Sequence, residues 1–229
     1  MTDERGSQQQ AAYRQRPFPV PAGAMELLLV RHGQSEAYLE GTSFPLADGH
    51  GDPPLSALGQ EQAQRAGERL ATAGIDAIYV TTLQRTAQTA APLAERLELA
   101  PRVEAGLREV FLGEWEGGLY RKLVAENHPI AQRMFAEERW DVIPGAESLL
   151  AFDGRVRAAI RRMAADHPGQ RVAAFTHGGV IGQVLAMGSD SRPFAFNTAD
   201  NASISRLIIT SDRWWVRSFN DTAHLEDLA

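Results

Sequence analysis

Short apolar runs alternate along the chain with segments in which apolar residues recur at helical spacing. The runs predict buried strands, and the periodic segments predict amphipathic helices. The predicted strands are residues 25–31, 76–80, 101–103, 171–176, 203–210 and 214–219. The predicted helices are residues 57–73, 84–97 and 148–163, together with a helix that begins at Gly178 and Gly179. Ser56 is the expected N-cap of the first helix.

This alternation is typical of an α/β protein, here a three-layer α/β/α sandwich with a mostly parallel central sheet. Residues 106–145 differ, because they carry aromatic and acidic residues and short apolar clusters without a strong strand signal. We predict that they form a small helical insertion over the site. A single domain is expected over residues 25–229, after a flexible N-terminal extension of residues 1–24 that contains glutamine and proline.

Composition and charge exclude several classes of protein. The chain has 229 residues, and 23 basic against 29 acidic side chains give a net charge of −6. An acidic protein binds nucleic acid or anionic membranes poorly, so neither is expected as a partner. Cysteine is absent, which excludes disulfides, cysteine–zinc sites and a thiol nucleophile. Since no apolar run approaches the roughly 20 residues of a membrane span, and no signal peptide is evident, we expect a cytoplasmic protein.

Two histidines follow predicted strands, and the ends of strands are where α/β sheets form their sites. His32 follows strand 25–31 and precedes Gly33, while His177 follows strand 171–176 and precedes Gly178. Glycine lets backbone N–H groups approach a ligand closely, and a helix that begins there favours an anion. A single histidine is more often structural, but two in this setting indicate an anion site.

Two arginines occupy the same kind of position. Arg31 adjoins His32, and Arg85 lies shortly after strand 76–80. The guanidinium group suits bidentate recognition of phosphate. The combination therefore predicts a phosphate pocket that contains an imidazole nucleophile.

Seven short blocks, in the same order along the chain, resemble the histidine phosphatase superfamily, which includes the cofactor-dependent phosphoglycerate mutases. The first is Arg31-His32-Gly33 with Glu36, and the sixth is Thr176-His177-Gly178-Gly179. All seven lie at residues 31–36, 55–63, 83–90, 107–117, 144–148, 176–179 and 220–225. The resemblance covers most of the chain.

The resemblance implies a metal-independent phosphomonoesterase that acts on small phosphorylated metabolites without a cofactor. His32 would form a phosphohistidine, and Glu109 would protonate the leaving oxygen and then activate water. Arg31, Arg85 and a protonated His177 would hold the phosphoryl oxygens. Such a mechanism needs no metal ion, because these side chains supply the positive charge.

Four further residues complete the expected substrate-binding set, namely Gly33, Glu36, Gly178 and Asn201. Glu36 is also a rival of Glu109 for the acid role, or it holds the first motif together through backbone or an arginine. Asn201 is explained equally well as a turn residue before the strand 203–210. The remaining histidines, His50, His128, His167 and His224, are assigned no catalytic role.

Two features favour hydrolysis over mutase chemistry. The interval between Glu109 and His177 is shorter than in the mutases, and Tyr38 replaces an asparagine common in the family. A phosphoglycerate mutase-type transfer remains the alternative, and a non-catalytic phospho-ligand binding protein is a weaker one, since His32 and Glu109 are both present. The long loop 39–54 forms either a pocket wall or a surface excursion. A homodimer is left open.

Overall fold

A six-stranded sheet forms the centre of the structure, a computed structural model that describes residues 13–228. The strand order is β5-β4-β6-β1-β7-β8, in which β5, β4, β6 and β1 are mutually parallel and β7 is antiparallel to both of its neighbours. The strands are β1 (Met25–Arg31), β4 (Ala77–Val80), β5 (Arg102–Val103), β6 (Arg171–Thr176), β7 (Ile204–Ile209) and β8 (Trp214–Asp221). A separate two-stranded hairpin consists of β2 (Leu46–Ala47) and β3 (His50–Gly51).

Six α-helices belong to this described part of the chain. They are α1 (Ala57–Ala71), α2 (Gln84–Leu97), α3 (Leu119–Ala125), α4 (Pro129–Glu137), α5 (Leu149–Asp166) and α6 (Gly178–Ser189). Short 3₁₀ turns occur at Ala105–Leu107, Gly113–Trp115, Trp140–Val142 and Ala223–Leu228. No helix among residues 13–228 is long and apolar enough to cross a membrane.

The inner strands β1, β4, β6 and β7 are buried on both faces, between two layers of helices. In β1, Leu28 and Val30 pack with the helices α1 and α2 on one side, while Leu27 and Leu29 pack with α5 and α6 on the other. Successive residues of a strand point to opposite faces, so a continuous apolar run is what a strand between two helical layers requires. The α/β/α sandwich expected from the sequence is therefore confirmed.

Most predicted elements are observed, with small differences at their ends. Helix α1 ends at Ala71 rather than residue 73, helix α5 continues to Asp166, and β8 continues to Asp221 because its ladder with β7 extends that far. Ser56 caps α1, since its hydroxyl accepts the Gly59 N–H. The region 106–145 contains the short helices α3 and α4 and 3₁₀ turns, joined by irregular segments.

The predicted flexible extension coincides only in part with the described chain. Residues 1–12 lie outside the described residues. Residues 13–24 contain no helix or strand, but Phe18 is half-buried against the outer strand β8. Its ring centroid lies 5.9 Å from that of Trp215, and the Arg217 guanidinium lies 4.3 Å from the ring. Phe18 thus contacts the sheet, while residues 13–17, 19 and 20 are exposed, and the flexibility of the extension stays a prediction.

The hairpin β2–β3 is an element that the sequence prediction missed. Asp48 and Gly49 connect its two strands and have φ angles of 50° and 82°. Two successive residues with positive φ are the mark of a type I′ turn, for which Asp-Gly is a preferred pair. The Asp48-Gly49 dipeptide was therefore a usable sequence signal for a hairpin within the loop 39–54.

Candidate active site

The ends of three neighbouring parallel strands bring the predicted phosphate-binding residues together. His32 follows β1, Arg85 lies in the first turn of α2 after β4, and His177 follows β6 directly. Because β4, β6 and β1 are adjacent, their carboxyl ends share one edge of the sheet. A cavity of about 280 Å³ opens at this edge. Its lining includes Arg31, His32, Phe44, His50, Gly51, Pro53, Arg85, Glu109, Trp115, Glu116, Tyr120, Arg121, Trp140 and Gly178.

The His32 imidazole is fixed in one protonation pattern. Its Nδ1 lies 2.7 Å from the carbonyl oxygen of Gly33, and since a carbonyl only accepts, Nδ1 carries the proton. Burial and the charges of Arg85 and Arg31 hold the pKa of His32 well below its usual value. The ring is therefore neutral near pH 7, and Nε2 has a free lone pair.

The two arginines are positioned by backbone carbonyls. Arg31 Nη1 donates to the carbonyl of Ala199 at 2.5 Å, and Arg85 Nη1 donates to the carbonyl of Gly51 at 2.9 Å. Burial lowers the pKa of Arg85 to about 10, which still leaves it protonated near pH 7. Both guanidinium groups line the cavity and give it the positive charge that an anion requires.

His177 is fully buried, and its expected protonation concerns the phosphate-bound site and stays a prediction. Burial, followed by the charges of Arg85, His32 and Arg31, lowers the pKa of His177 well below its usual value. Its Nε2 lies 3.0 Å from Thr81 Oγ1, and within residues 13–228 its Nδ1 has no hydrogen-bond partner. The ring centroids of His177 and His32 are 5.2 Å apart.

Glu109 reaches the same cavity from the loop after the first 3₁₀ turn. Its Oε1 accepts the Val110 N–H at 3.0 Å and its Oε2 accepts the Gly179 N–H at 3.2 Å, at the start of α6. A Cβ at Gly179 would lie 2.5 Å from Oε1, so only glycine allows this approach. The second glycine after His177 therefore serves the carboxylate.

Arg155 of α5 holds the loop that carries Glu109. Its guanidinium donates to the carbonyls of Gly106, Arg108 and Glu109 at 2.9, 2.7 and 2.8 Å. It also pairs with the Glu147 carboxylate at 2.8 Å. One half-buried arginine thus holds three backbone carbonyls of an otherwise irregular segment.

Three residues of the predicted substrate-binding set do not line the cavity, and neither does the fully buried His177. The Gly33 N–H is taken by Thr89 Oγ1 at 3.0 Å, and a Cβ at Gly33 would lie 2.4 Å from the Gly59 carbonyl oxygen, so this glycine serves helix packing. Glu36 is exposed, and its backbone carbonyl accepts from Arg121 at 2.7 Å. The Asn201 amide donates to the His32 carbonyl at 2.9 Å and so braces the histidine from behind.

Several cavity residues were not singled out by the sequence interpretation. His50 and Phe44 come from the loop 39–54, which is therefore a pocket wall rather than a surface excursion. Tyr120 and Arg121 come from α3. Burial and the nearby charge of Glu109 raise the pKa of Tyr120 to about 12, so its hydroxyl stays protonated. Arg121 stacks on the Phe44 ring, with 5.0 Å between its guanidinium carbon and the ring centroid.

Residues 27–222 match the model of the histidine phosphatase superfamily (branch 1). The chain belongs to this superfamily. The match begins in β1 and ends just after β8.

Relatives within the superfamily include both mutase-like proteins and phosphatases. Phosphoglycerate mutase-like protein 4 of Arabidopsis thaliana is 34% identical over 212 residues, which is 88% of this chain and 87% of that protein. Phosphoserine phosphatase 1 of Hydrogenobacter thermophilus is 31% identical, over 88% and 94% of the two chains. The solved structure of a mycobacterial glucosyl-3-phosphoglycerate phosphatase superposes with a TM-score of 0.72 at 28% identity, over 87% and 100%. These relatives support an enzyme that catalyses phosphoryl transfer.

Proposed function

We propose that this histidine phosphatase is a metal-independent phosphomonoesterase that hydrolyses small phosphorylated metabolites through a phosphohistidine. The observation that carries the proposal is the hydrogen bond from His32 Nδ1 to the Gly33 carbonyl, at 2.7 Å in an arginine-lined cavity. It leaves Nε2 as an unprotonated nucleophile beside the charges that would hold a phosphate. Neutral imidazole is the form that nucleophilic catalysis requires.

In the first step, His32 Nε2 attacks phosphorus and the bond between phosphorus and the ester oxygen breaks. Glu109 donates its proton to that oxygen, and the alcohol leaves. Arg31 and Arg85 hold the non-bridging oxygens, where charge must be stabilised in the transition state. A phosphate dianion in the cavity favours the protonated form of His177, because it is a nearby negative charge.

In the second step, Glu109 accepts a proton from a water molecule whose oxygen attacks the phosphohistidine. The phosphorus–nitrogen bond breaks, its electrons return to Nε2, and inorganic phosphate leaves. Atoms and charges balance without a cofactor, since the same carboxyl group returns to its acid form. His32 is left in its starting state.

Hydrolysis is proposed ahead of mutase chemistry for two reasons. The short interval between Glu109 and His177 leaves room for few segments that could close over a phosphorylated enzyme. The relatives also include proteins named phosphoserine phosphatase and glucosyl-3-phosphoglycerate phosphatase. The cavity of about 280 Å³ suits a small metabolite as the substrate. A cytoplasmic location stays a prediction.

Turnover of p-nitrophenyl phosphate by the purified protein tests the proposal. The wild type is expected to hydrolyse it at the same rate with and without EDTA, and His32→Ala to lose activity by at least about 10³-fold, since the nucleophile is removed. Rapid acid-free quenching with a labelled substrate should trap label on the wild-type chain only. A fully active His32→Ala protein, or activity abolished by EDTA, would contradict it.

The mutase alternative is separated from hydrolysis by a second assay. The protein is incubated with 3-phosphoglycerate and its bisphosphate primer, and both 2-phosphoglycerate and inorganic phosphate are measured. Inorganic phosphate as the main product supports the phosphatase. Isomerisation that outpaces phosphate release would replace our proposal with the mutase.

A further inference from the structure

A carboxylate joins two walls of the active-site cavity. The first wall is residues 44–53, which we call the hairpin arm, and the second is residues 112–121. Glu116 Oε2 accepts the N–H of Gly51 at 2.7 Å, and Glu116 Oε1 accepts the N–H of Leu112 at 2.9 Å. Hydrogen bonds to a charged acceptor are the stronger kind, so this side chain fastens the hairpin arm to the opposite wall.

The residue that Glu116 holds also orients a phosphate-binding arginine. The carbonyl of Gly51 accepts from Arg85 Nη1 at 2.9 Å. The next residue, Asp52, places Oδ1 at 3.7 Å from the same nitrogen and accepts the Gln84 N–H at 2.9 Å. The guanidinium of Arg85 is therefore positioned by the hairpin arm, and the arm is held in place by Glu116.

We propose that Glu116 is a positioning residue for Arg85, acting through Gly51. The inference rests on the proposed function, in which Arg85 holds the phosphoryl oxygens during attack by His32. Without the hydrogen bond to Glu116, Gly51 loses a contact that fixes its position. A shift of Gly51 would then move the Arg85 guanidinium that its carbonyl orients. Small displacements of a catalytic group are costly, since an error of about 1 Å lowers a rate by roughly 100-fold.

The sharpest test compares two glutamates of the same segment. Glu116→Gln keeps the shape of the side chain but leaves one oxygen to accept two N–H groups, so one of the bonds to Gly51 and Leu112 is lost. Glu114→Gln is the matched control, because Glu114 is exposed and outside the cavity lining. We expect kcat/KM for p-nitrophenyl phosphate to fall by about tenfold in Glu116→Gln and by less than twofold in the control.

A double-mutant cycle distinguishes positioning from a merely structural role. If Glu116 acts through Arg85, Glu116→Gln in an Arg85→Ala background should change kcat/KM, and the inhibition constant of vanadate, by less than about twofold. A structural role predicts the same fold-loss in both backgrounds. Equal losses, or a Glu116→Gln protein that matches the Glu114→Gln control, would overturn the proposal.

A second variant covers the case in which Glu116→Gln fails to fold. In Gly51→Ala the new Cβ would lie 3.2 Å from the Gly117 nitrogen and 3.5 Å from Glu116 Oε2, so it displaces Gly51 without removing a charge. We expect Gly51→Ala to lower kcat/KM by about the same factor as Glu116→Gln, and to have little effect in the Arg85→Ala background. Circular dichroism and the unfolding midpoint verify folding. A wild type without hydrolytic activity would instead refute the proposed function, because the comparison starts from wild-type turnover.

Discussion

At the scale of single residues, the arrangement of Glu109 predicts a specific kinetic signature. Glu109→Gln removes the proton donor and keeps the shape of the side chain, and its single amide oxygen can accept only one of the Val110 and Gly179 N–H groups. The loss of kcat/KM should be largest for substrates with poor leaving groups such as alkyl phosphates, roughly 10²–10⁴-fold. It should be much smaller for p-nitrophenyl phosphate, whose leaving group needs little protonation.

Relative kcat/KM values over a series of esters with different leaving-group pKa provide the measurement. Glu36→Gln is the control, because Glu36 was the rival acid and its exposed position is outside the cavity. Equal losses for activated and unactivated esters would remove the acid role from Glu109.

The sequence predicts the central residues of the site because neighbouring parallel strands place them. His32, Arg85 and His177 each follow a strand that is recognisable by its apolar run. Because these strands are adjacent, their carboxyl ends bring the three residues to the same edge of the sheet. The sequence does not determine the protonation of His177, because burial and the charges of Arg85 and Arg31 lower its pKa. We predicted that Gly33 lets the backbone approach a ligand. In the structure, the carbonyl of Gly59 lies so close that a side chain at residue 33 would clash with it.

At the scale of elements, the hairpin arm substitutes for a missing helix cap. Helix α2 has Leu83 at its N-cap position, which has no side-chain acceptor, and the carboxylate of Asp52 accepts the Gln84 N–H instead. Asp52→Ala should therefore lower the free energy of unfolding by about 1 kcal/mol. Asp52→Asn, which keeps an acceptor oxygen, should lose less.

Urea unfolding followed by circular dichroism measures both variants against the wild type. The order wild type, Asp52→Asn, Asp52→Ala is the expected ranking of stability. If Asp52→Ala is as stable as the wild type, the cap contributes nothing and the hydrogen bond to Gln84 is incidental.

The elements that the sequence did not predict are those fixed by contacts between distant segments. The short strands β2 and β3 have too few residues for a periodic signal, and only the pair Asp48-Gly49 marks them. Arg121 enters the cavity because α3 packs beside the hairpin arm, and its guanidinium donates to Ser35 Oγ at 2.6 Å. No local pattern in the chain encodes such an encounter.

At the scale of the whole molecule, two buried neutral histidines make folding sensitive to acid. The pKa values of His32 and His177 are lowered in the folded chain, while in the unfolded chain they are about 6.5. The unfolded state therefore binds more protons below that pH, and stability is lost as the pH falls through about 6.5. Each histidine contributes a slope of up to about 1.4 kcal/mol per pH unit.

Urea unfolding between pH 7 and pH 5 measures this slope. His32→Asn should reduce it, because only His177 then retains a strongly lowered pKa. A wild-type free energy of unfolding that is constant over this range, or an unchanged slope in His32→Asn, would contradict the prediction.

The net charge of −6 and the cavity have opposite character, since Arg31, Arg85 and Arg121 converge at one edge of an acidic chain. The net charge argues against a broad surface that binds polyanions. It carries no information about a local site in which three arginines line one cavity. Both properties are compatible because the cavity charges are local, and screening in water limits their range to about 10 Å.

The hairpin arm has a consequence for protein engineering. Its residues Phe44 and His50 line the active-site cavity, while the carbonyl of Gly51, one residue further on, accepts a hydrogen bond from Arg85. A library that randomises residues 44–53 to change substrate choice will therefore also alter turnover in most of its members. Selection for a new substrate should preserve Gly51 and Asp52 and recover most variation at residues 44–50.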